Sequence, residues 1–333
     1  MTLQSSGSIS LSDINVELRN SSTQIISLND SSVRTLLNVP SGTISLSDAY
    51  GKSNRVQINY IISSNSQQLS LNPTTFTNYI AGKSDITITV NSGVYVWSDS
   101  TSVAGLIITD GLVSGDTLKL VNNGYIIGKG GKGGNGINAP NTTSAGNGGP
   151  ALSIFNNITI DNLSYIAGGG GGGGGNNSAL SDSSVRGGGG GGAGGGDGGN
   201  GANSGGFLNG IGGSGGSVGN SGANGGNSGI AGGGGGRILP GNGGGGGAGG
   251  GAGGGGGRNF NGFSGGSSNN SGQNATGGEA VYGNAAGGGG WGASGGYTNV
   301  GWLQSGGTGG KAINLNGYSV TYITTGNVWG AVS

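Results

Sequence analysis

The spacing of apolar residues changes its period near residue 55. Before that point, apolar residues cluster around three near-copies of one pentapeptide: Ile9-Ser-Leu-Ser-Asp13, Ile26-Ser-Leu-Asn-Asp30 and Ile44-Ser-Leu-Ser-Asp48. Each copy places Ser, Asn or Asp ahead of a helix-compatible stretch, as at Asp13–Leu18 and Ser31–Leu37. A side-chain oxygen there can accept from the free N–H groups of a first helical turn. A module of small helices over 1–54 is predicted. Its apolar residues are too few for robust solitary folding, because domains this small bury a modest fraction of their surface. Ile9, Leu11, Ile26, Leu28, Ile44 and Leu46 are therefore candidates for docking on a partner or on another copy of the chain.

From Arg55 onward, apolar and polar residues alternate. Val56–Ile62, Asp85–Val90, Val94–Trp97, Val103–Thr109 and Thr117–Val121 are rich in β-branched and aromatic residues and predict a β-rich domain over 55–127. An eleven-residue repeat extends the pattern: LKLVNNGYIIG (118–128), ITIDNLSYIAG (158–168) and VTYITTGNVWG (320–330) align without gaps. Two copies run straight into glycine. A second repeat, GGPAL (148–152), GGEAV (277–281) and GGKAI (309–313), precedes apolar sequence. The first repeat sends the chain out of a β-layer and the second brings it back. This gives a glycine-rich domain over 128–311, with strand 151–168 returning to the layer, and a C-terminal β segment over 312–333 that closes it. Segments 137–147, 176–186, 258–276 and 291–306 lie between the markers and are predicted at the far end.

Composition decides what fills that domain. Ninety-one of 333 residues are glycine, most of them between Tyr125 and Gly310, so no ordinary side-chain core can form there. Flexible linkers share this composition, yet rarely alternate pure glycine runs with Asn/Ser-rich stretches so regularly. Extended glycine can form a left-handed helix of three residues per turn, and without Cβ atoms neighbouring helices can approach until N–H meets C=O. The run Gly168–Gly175 would span about 25 Å in that form. The expected fold class is mostly irregular and all-β: a small N-terminal helical docking module, a β-layer, and a bundle of packed polyglycine II helices with distal loops.

Charge and chemistry remove most function classes. Twelve basic and twelve acidic residues balance, and no basic patch suggests nucleic acid or anionic lipid. There is no Cys and no His, which excludes disulfides, thiolate or imidazole metal sites and histidine-based catalysis. GxGxxG recurs too often to mark a nucleotide site, and it lacks the required strand and helix context. Asp182, Asp197 and Glu279 are too scattered to form a paired acid/base site. No catalytic residue, metal or cofactor is expected. Met1–Gly7 lacks a basic n-region and an apolar h-region, and no apolar stretch approaches membrane-spanning length, so synthesis in a cytosol is expected, without membrane insertion.

Aromatic residues stand out in the glycine-rich domain. Trp291, Tyr297 and Trp302, with Phe260 and Phe263, sit among Gly, Asn and Ser, a mixture of rigid rings and adaptable polar neighbours used by antibody loops. With Asn141 and Leu180 from the other far-end segments, they are the candidate receptor-binding residues. Trp291 and Trp302 are expected in the most exposed aromatic surface.

SGSISLSDINVEL and SGTISLSDAYGKS resemble a module at the start of many tailed-phage structural and fibre proteins. The join LVNNGYIIGKGGKGGNG is similar to the glycine-rich adhesins at the tip of long tail fibres in T-even-type phages. The resemblance implies a sandwich of polyglycine II helices whose distal loops bind a receptor. It also implies a non-enzymatic virion protein assembled in the host cytoplasm. Its partners would be other phage fibre or tail proteins, or copies of itself, through 1–54, and a bacterial outer-surface protein or glycan through the loops. The alternative is a structural appendage of the virion, in fibre, neck or capsid, with no receptor role.

Overall fold

The computed structural model describes residues 3–108, 111–136, 143–175, 187–202, 208–226, 236, 243–244, 285–298 and 304–333. Two compact units are present: Met1–Asn59 with Phe76–Thr87 and Leu112–Thr117, and Tyr60–Thr75 with Ile88–Gly111 and Leu118–Ser333.

In the first unit the three pentapeptides share one hydrogen bond. The backbone N–H of the first serine donates to the aspartate three residues on: Ser10 to Asp13 at 2.8 Å, Ser27 to Asp30 at 2.9 Å and Ser45 to Asp48 at 2.8 Å. The copies start helix α1 (Leu11–Leu18), helix α2 (Ser31–Leu37) and a 3-10 turn, Leu46–Ala49. In the first and third copies the serine side chain also accepts from the aspartate N–H, a reciprocal pair that satisfies N–H groups a helix start leaves open, whereas Asp30, the N-cap of α2, makes no side-chain cap bond. The elements enclose a core of Leu3, Ile14, Val33, Leu36, Leu37 and Ala49. Ile9, Ile26, Leu28, Ile44 and Leu46 are half-buried against that core, whereas Leu11 is exposed.

The same unit contains a carboxylate tied by several donors. Asp85 pairs with the Arg55 guanidinium and accepts from Thr117 Oγ1 and Gln57 Nε2. Burial raises the Asp85 carboxyl, but these hydrogen bonds and the Arg55 charge outweigh it and hold the group at about 2, below its ordinary value of 3.8. A depressed folded value means stability that is present above 3.8 and lost as the pH falls through about 2. Melting temperature should therefore fall across that acid window. Asp85→Asn should show a shallower decline there, and equal slopes would mean the network contributes nothing.

The strands wind through three sheets in turn. The first turn is β1 (Val56–Ile62), β2 (Ser66–Gln67) and β3 (Leu69–Leu71), and the second is β4 (Ser84–Val90), β5 (Tyr95–Trp97) and β6 (Leu106–Ile108). The third is β7 (Thr117–Asn122), β8 (Tyr125–Ile127) and β9 (Leu152–Ile154), and the fourth starts with β10 (Ile158–Asn162) and β11 (Tyr165–Ala167). A separate antiparallel pair, β12 (Gly201–Ala202) and β13 (Leu208–Gly210), precedes β14 (Ile313–Asn314), which completes the fourth turn. Then come β15 (Val320–Thr324) and β16 (Asn327–Trp329). Sheet orders are β1-β4-β7-β10-β15, β2-β5-β8-β11-β16 and β3-β6-β9-β14. The chain thus coils through the three sheets, and the pairings β7-β10-β15, β2-β5-β8-β11-β16 and β3-β6-β9-β14 are parallel. Along β4, β7 and β10 every second residue is buried, and Val96, Leu106, Leu120, Ile126, Leu152, Ile160, Ile166 and Ile313 have no exposed surface.

The eleven-residue repeat does not form a single layer, as the sequence suggested. Each copy is a strand, a corner and a strand in the next sheet: β7 and β8, β10 and β11, β15 and β16. The corner is built by buried asparagines. Asn122 Nδ2 donates to Asn162 Oδ1 at 2.8 Å and to the Tyr165 carbonyl at 3.1 Å. Asn162 Nδ2 reaches the carbonyls of Thr325 at 2.7 Å and Asn327 at 3.2 Å. A bend that buries peptide groups needs such partners, because an unpaired buried polar group is costly. Outside the corner, Tyr95, Tyr125 and Tyr165 stack at ring separations of 4.4 and 5.3 Å, in line with parallel register.

Both glycine excursions leave the second sheet and rejoin the third, after Gly128 and Gly168 and ahead of Leu152 and Ile313, as the repeats predict. The marker at 277–281 lies outside the described residues. Gly168–Gly175 is buried throughout. Gly169 and Gly172 donate to the carbonyls of Gly149 and Gly146, Gly170 and Gly173 to those of Ala193 and Gly190, and Gly171 and Gly174 to those of Ala293 and Gly296. Its own carbonyls accept from Gly131 and Gly134, from Ala286 and Gly289, and from Gly307 and Gly310. Each neighbour is thus met at every third residue. A Cβ on Gly169, Gly171 or Gly172 would lie 1.9, 1.9 or 2.0 Å from the carbonyl oxygens of Lys129, Gly307 and Lys132.

Candidate functional site

The ends of the glycine segments farthest along the chain from the sheets carry polar side chains that replace missing backbone partners. Gly175 is held on both sides: its N–H donates to Gln304 Oε1 at 2.8 Å, and its carbonyl accepts from Thr298 Oγ1 at 3.2 Å. Thr298 and Gln304 pair through backbone, Thr298 N–H to the Gln304 carbonyl at 3.0 Å. The Asn135 N–H donates to Thr143 Oγ1 at 3.2 Å, and Asn135 Oδ1 accepts from the Asn200 N–H at 2.8 Å. Asn135, Thr298 and Gln304 are buried. Tyr297, next to Thr298, is 44% exposed.

Trp291 is elsewhere. It is 1% exposed and packs with Ile127, Ala167 and Ala193, beside the half-buried Tyr95, Trp97, Tyr125 and Trp329. The expectation of an exposed indole at the far end is corrected. Gly292 explains the difference: at φ 65° it forms a turn and donates to the Gly168 carbonyl, where the central glycine segment leaves β11. The chain therefore reverses at Trp291 on the sheet side, whereas Thr298 and Gln304 meet Gly175 at the opposite end of the central glycine segment. Trp302, Phe260, Phe263, Asn141 and Leu180 lie outside the described residues.

The buried polar side chains at this end bond backbone groups of neighbouring segments. Among the described residues no group of His, Cys, Asp or Glu could hold a metal ion, and no helix is long and apolar enough to cross a membrane. Tyr79 is pushed up to about 12, first by burial and then by its hydrogen bond to Asp116, which itself accepts from the Ser84 N–H. Those bonds hold turns of the first unit together.

A family model described as phage tail fibre adhesin Gp38 matches residues 57–243, more than half of the chain. The chain belongs to that family. The matched span begins with the coil of strands and includes the central glycine segment, so the chain is a tail-fibre adhesin of the virion. No curated protein matches the sequence. Among solved structures, the gp37–gp38 adhesin tip complex of the bacteriophage S16 long tail fiber is similar, with a TM-score of 0.43 and 19% identity. That alignment covers 91% of this chain and 92% of the other.

Sequence reasoning missed Asn122, Asn162, Thr298 and Gln304. For the asparagines a signal existed, since position five of the eleven-residue repeat is Asn in two copies. Thr298 and Gln304 carried none, because a side chain bonding a glycine more than 120 positions away leaves no local pattern.

Proposed function

We propose that this adhesin is a non-enzymatic receptor-binding protein whose glycine segments form a polyglycine II bundle and whose distal loops recognise a bacterial surface protein or glycan. The observation that carries the reading is the three-residue period of hydrogen bonds around Gly168–Gly175, inside an insertion that leaves and rejoins a rigid coil. A bundle held by backbone keeps its geometry while loop sequences change, as a recognition platform requires. Tyr297 and, in the segments 137–147, 176–186, 258–276 and 291–306, Asn141, Leu180, Phe260, Phe263 and Trp302 are the proposed contact residues. Trp291 is left out of that set as a packed residue.

Residues 1–54 would attach the chain to another phage fibre or tail protein, or to a copy of itself. Leu11, Val16 and Ile25 of that module remain 37%, 46% and 97% exposed, which suits a surface awaiting a partner. Assembly would take place in the host cytoplasm. Purified protein should compete with phage for susceptible cells and slow adsorption in proportion to its concentration. Unchanged adsorption at saturating protein would favour the alternative, a structural appendage without a receptor role.

A further inference from the structure

We infer that Thr298, Gln304, Asn135 and Thr143 are positioning residues that tie the roots of separate distal segments into one unit, so that binding at any of them depends on the shared knot. This rests on the proposed receptor-binding role of those segments. Each root leads into or out of a different stretch. Asn135 and Thr143 flank 137–142, Gly175 ends the central glycine segment just before 176–186, and Thr298 and Gln304 flank 299–303.

Hydrogen bonds close the first and third roots and join the second to the third, and close packing at Gly134 brings in the first. Asn135 N–H to Thr143 Oγ1 closes the first stretch, and the backbone pairing of Thr298 with Gln304 closes the third. Gly175, gripped through N–H and carbonyl by Gln304 and Thr298, links the second to the third. Gly134 marks where all three meet. A Cβ added there would lie 2.8 Å from Gln304 Oε1, 2.9 Å from the Gly175 nitrogen and 3.1 Å from the Thr143 carbonyl oxygen.

The side chains chosen are those the task requires. At Gly175 side chains stand where backbone partners serve Gly169–Gly174, because buried peptide groups need partners. Gln304 supplies an acceptor and Thr298 a donor at that point. Gln304 Nε2 finds no hydrogen-bond partner among the described residues, so the bond through Oε1 is what holds this amide in the interior. A group kept buried for one bond to another segment serves registration between segments, since an apolar side chain would fill the space without the unpaired donor.

The test uses full-length protein in the adsorption-competition assay, with thermal melting of each variant. Thr298→Val keeps the shape and removes the hydroxyl, Thr298→Ser restores it, and Gln304→Met removes both polar atoms of the amide. Thr143→Val removes the exposed acceptor for Asn135 and leaves the glycine packing untouched. Thr298→Val and Gln304→Met should each need about tenfold more protein to slow adsorption, the scale of one lost buried hydrogen bond, and Thr143→Val about threefold more because its acceptor is exposed, while Thr298→Ser matches wild type. Loss of folding in Thr298→Val or Gln304→Met leaves Thr143→Val to decide. Competition by folded Thr143→Val at the wild-type concentration overturns the inference. If wild type itself does not compete, the receptor-binding reading fails first. In that event, hydrogen exchange at Gly175 tests the knot alone: no acceleration in Thr143→Val or Thr298→Val overturns it.

Discussion

Gly171→Ala is expected to prevent the protein from folding. The added methyl carbon would lie 1.9 Å from the Gly307 carbonyl oxygen and 2.4 Å from its carbon. Both are backbone atoms and cannot rotate away. To admit the methyl, two segments must separate, which breaks the bond from the Gly307 N–H to the Gly172 carbonyl and those from Gly171 to Ala293 and from Gly289 to Gly171. Each buried group left unpaired costs about 1–3 kcal/mol, and a domain has roughly 5–15 kcal/mol in total. Gly226→Ala is the matched control, since its added carbon would meet the Ile211 carbonyl oxygen at 3.3 Å, a contact a small shift relieves. Gly171→Ala in the insoluble fraction and Gly226→Ala melting like wild type is the expected pair. Equal melting of the two would mean that the glycine segments are not packed as described.

Trp291→Ala is expected to destabilise the fold by about 3–5 kcal/mol, the range for removing a large buried aromatic. The indole covers Ile127 and Ala167 on the second sheet and meets Ala193 of a glycine turn, so its loss uncovers the junction of strands and glycine segments. Any loss of binding in this variant should follow loss of folded protein. Tyr297→Ala should behave oppositely, with melting unchanged and adsorption competition weakened, because Tyr297 is 44% exposed at the other end. Chemical denaturation beside the competition assay separates the two. A Trp291→Ala protein that melts like wild type but no longer competes would return Trp291 to the recognition surface.

Much of the fold was legible because its devices are local. The Ser/Asp pairs of the pentapeptides announce helix starts, and alternation marks the strands from Val56 to Asn122. The exits at Gly128 and Gly168 and the returns at Leu152 and Ile313 were readable from repeated sequence. What escaped depends on partners distant in the chain. Nothing local separates one layer from three sheets, because the corner at Asn122 is defined by Asn162 and Tyr165 in the next turn of the coil. Trp291 looked like a loop aromatic because its surroundings are glycine. The number of reversals between Gly168 and Gly309, which decides its end of the molecule, is not encoded in residue type.

The most direct test of the central claim is a cryo-EM map of the adhesin bound to outer-membrane vesicles from susceptible cells. The account predicts receptor density against the end that carries Asn135, Tyr297, Thr298 and Gln304, with the sheets uncovered. Density seated on the outer faces of the β-sheets, with that end free in solvent, would contradict it.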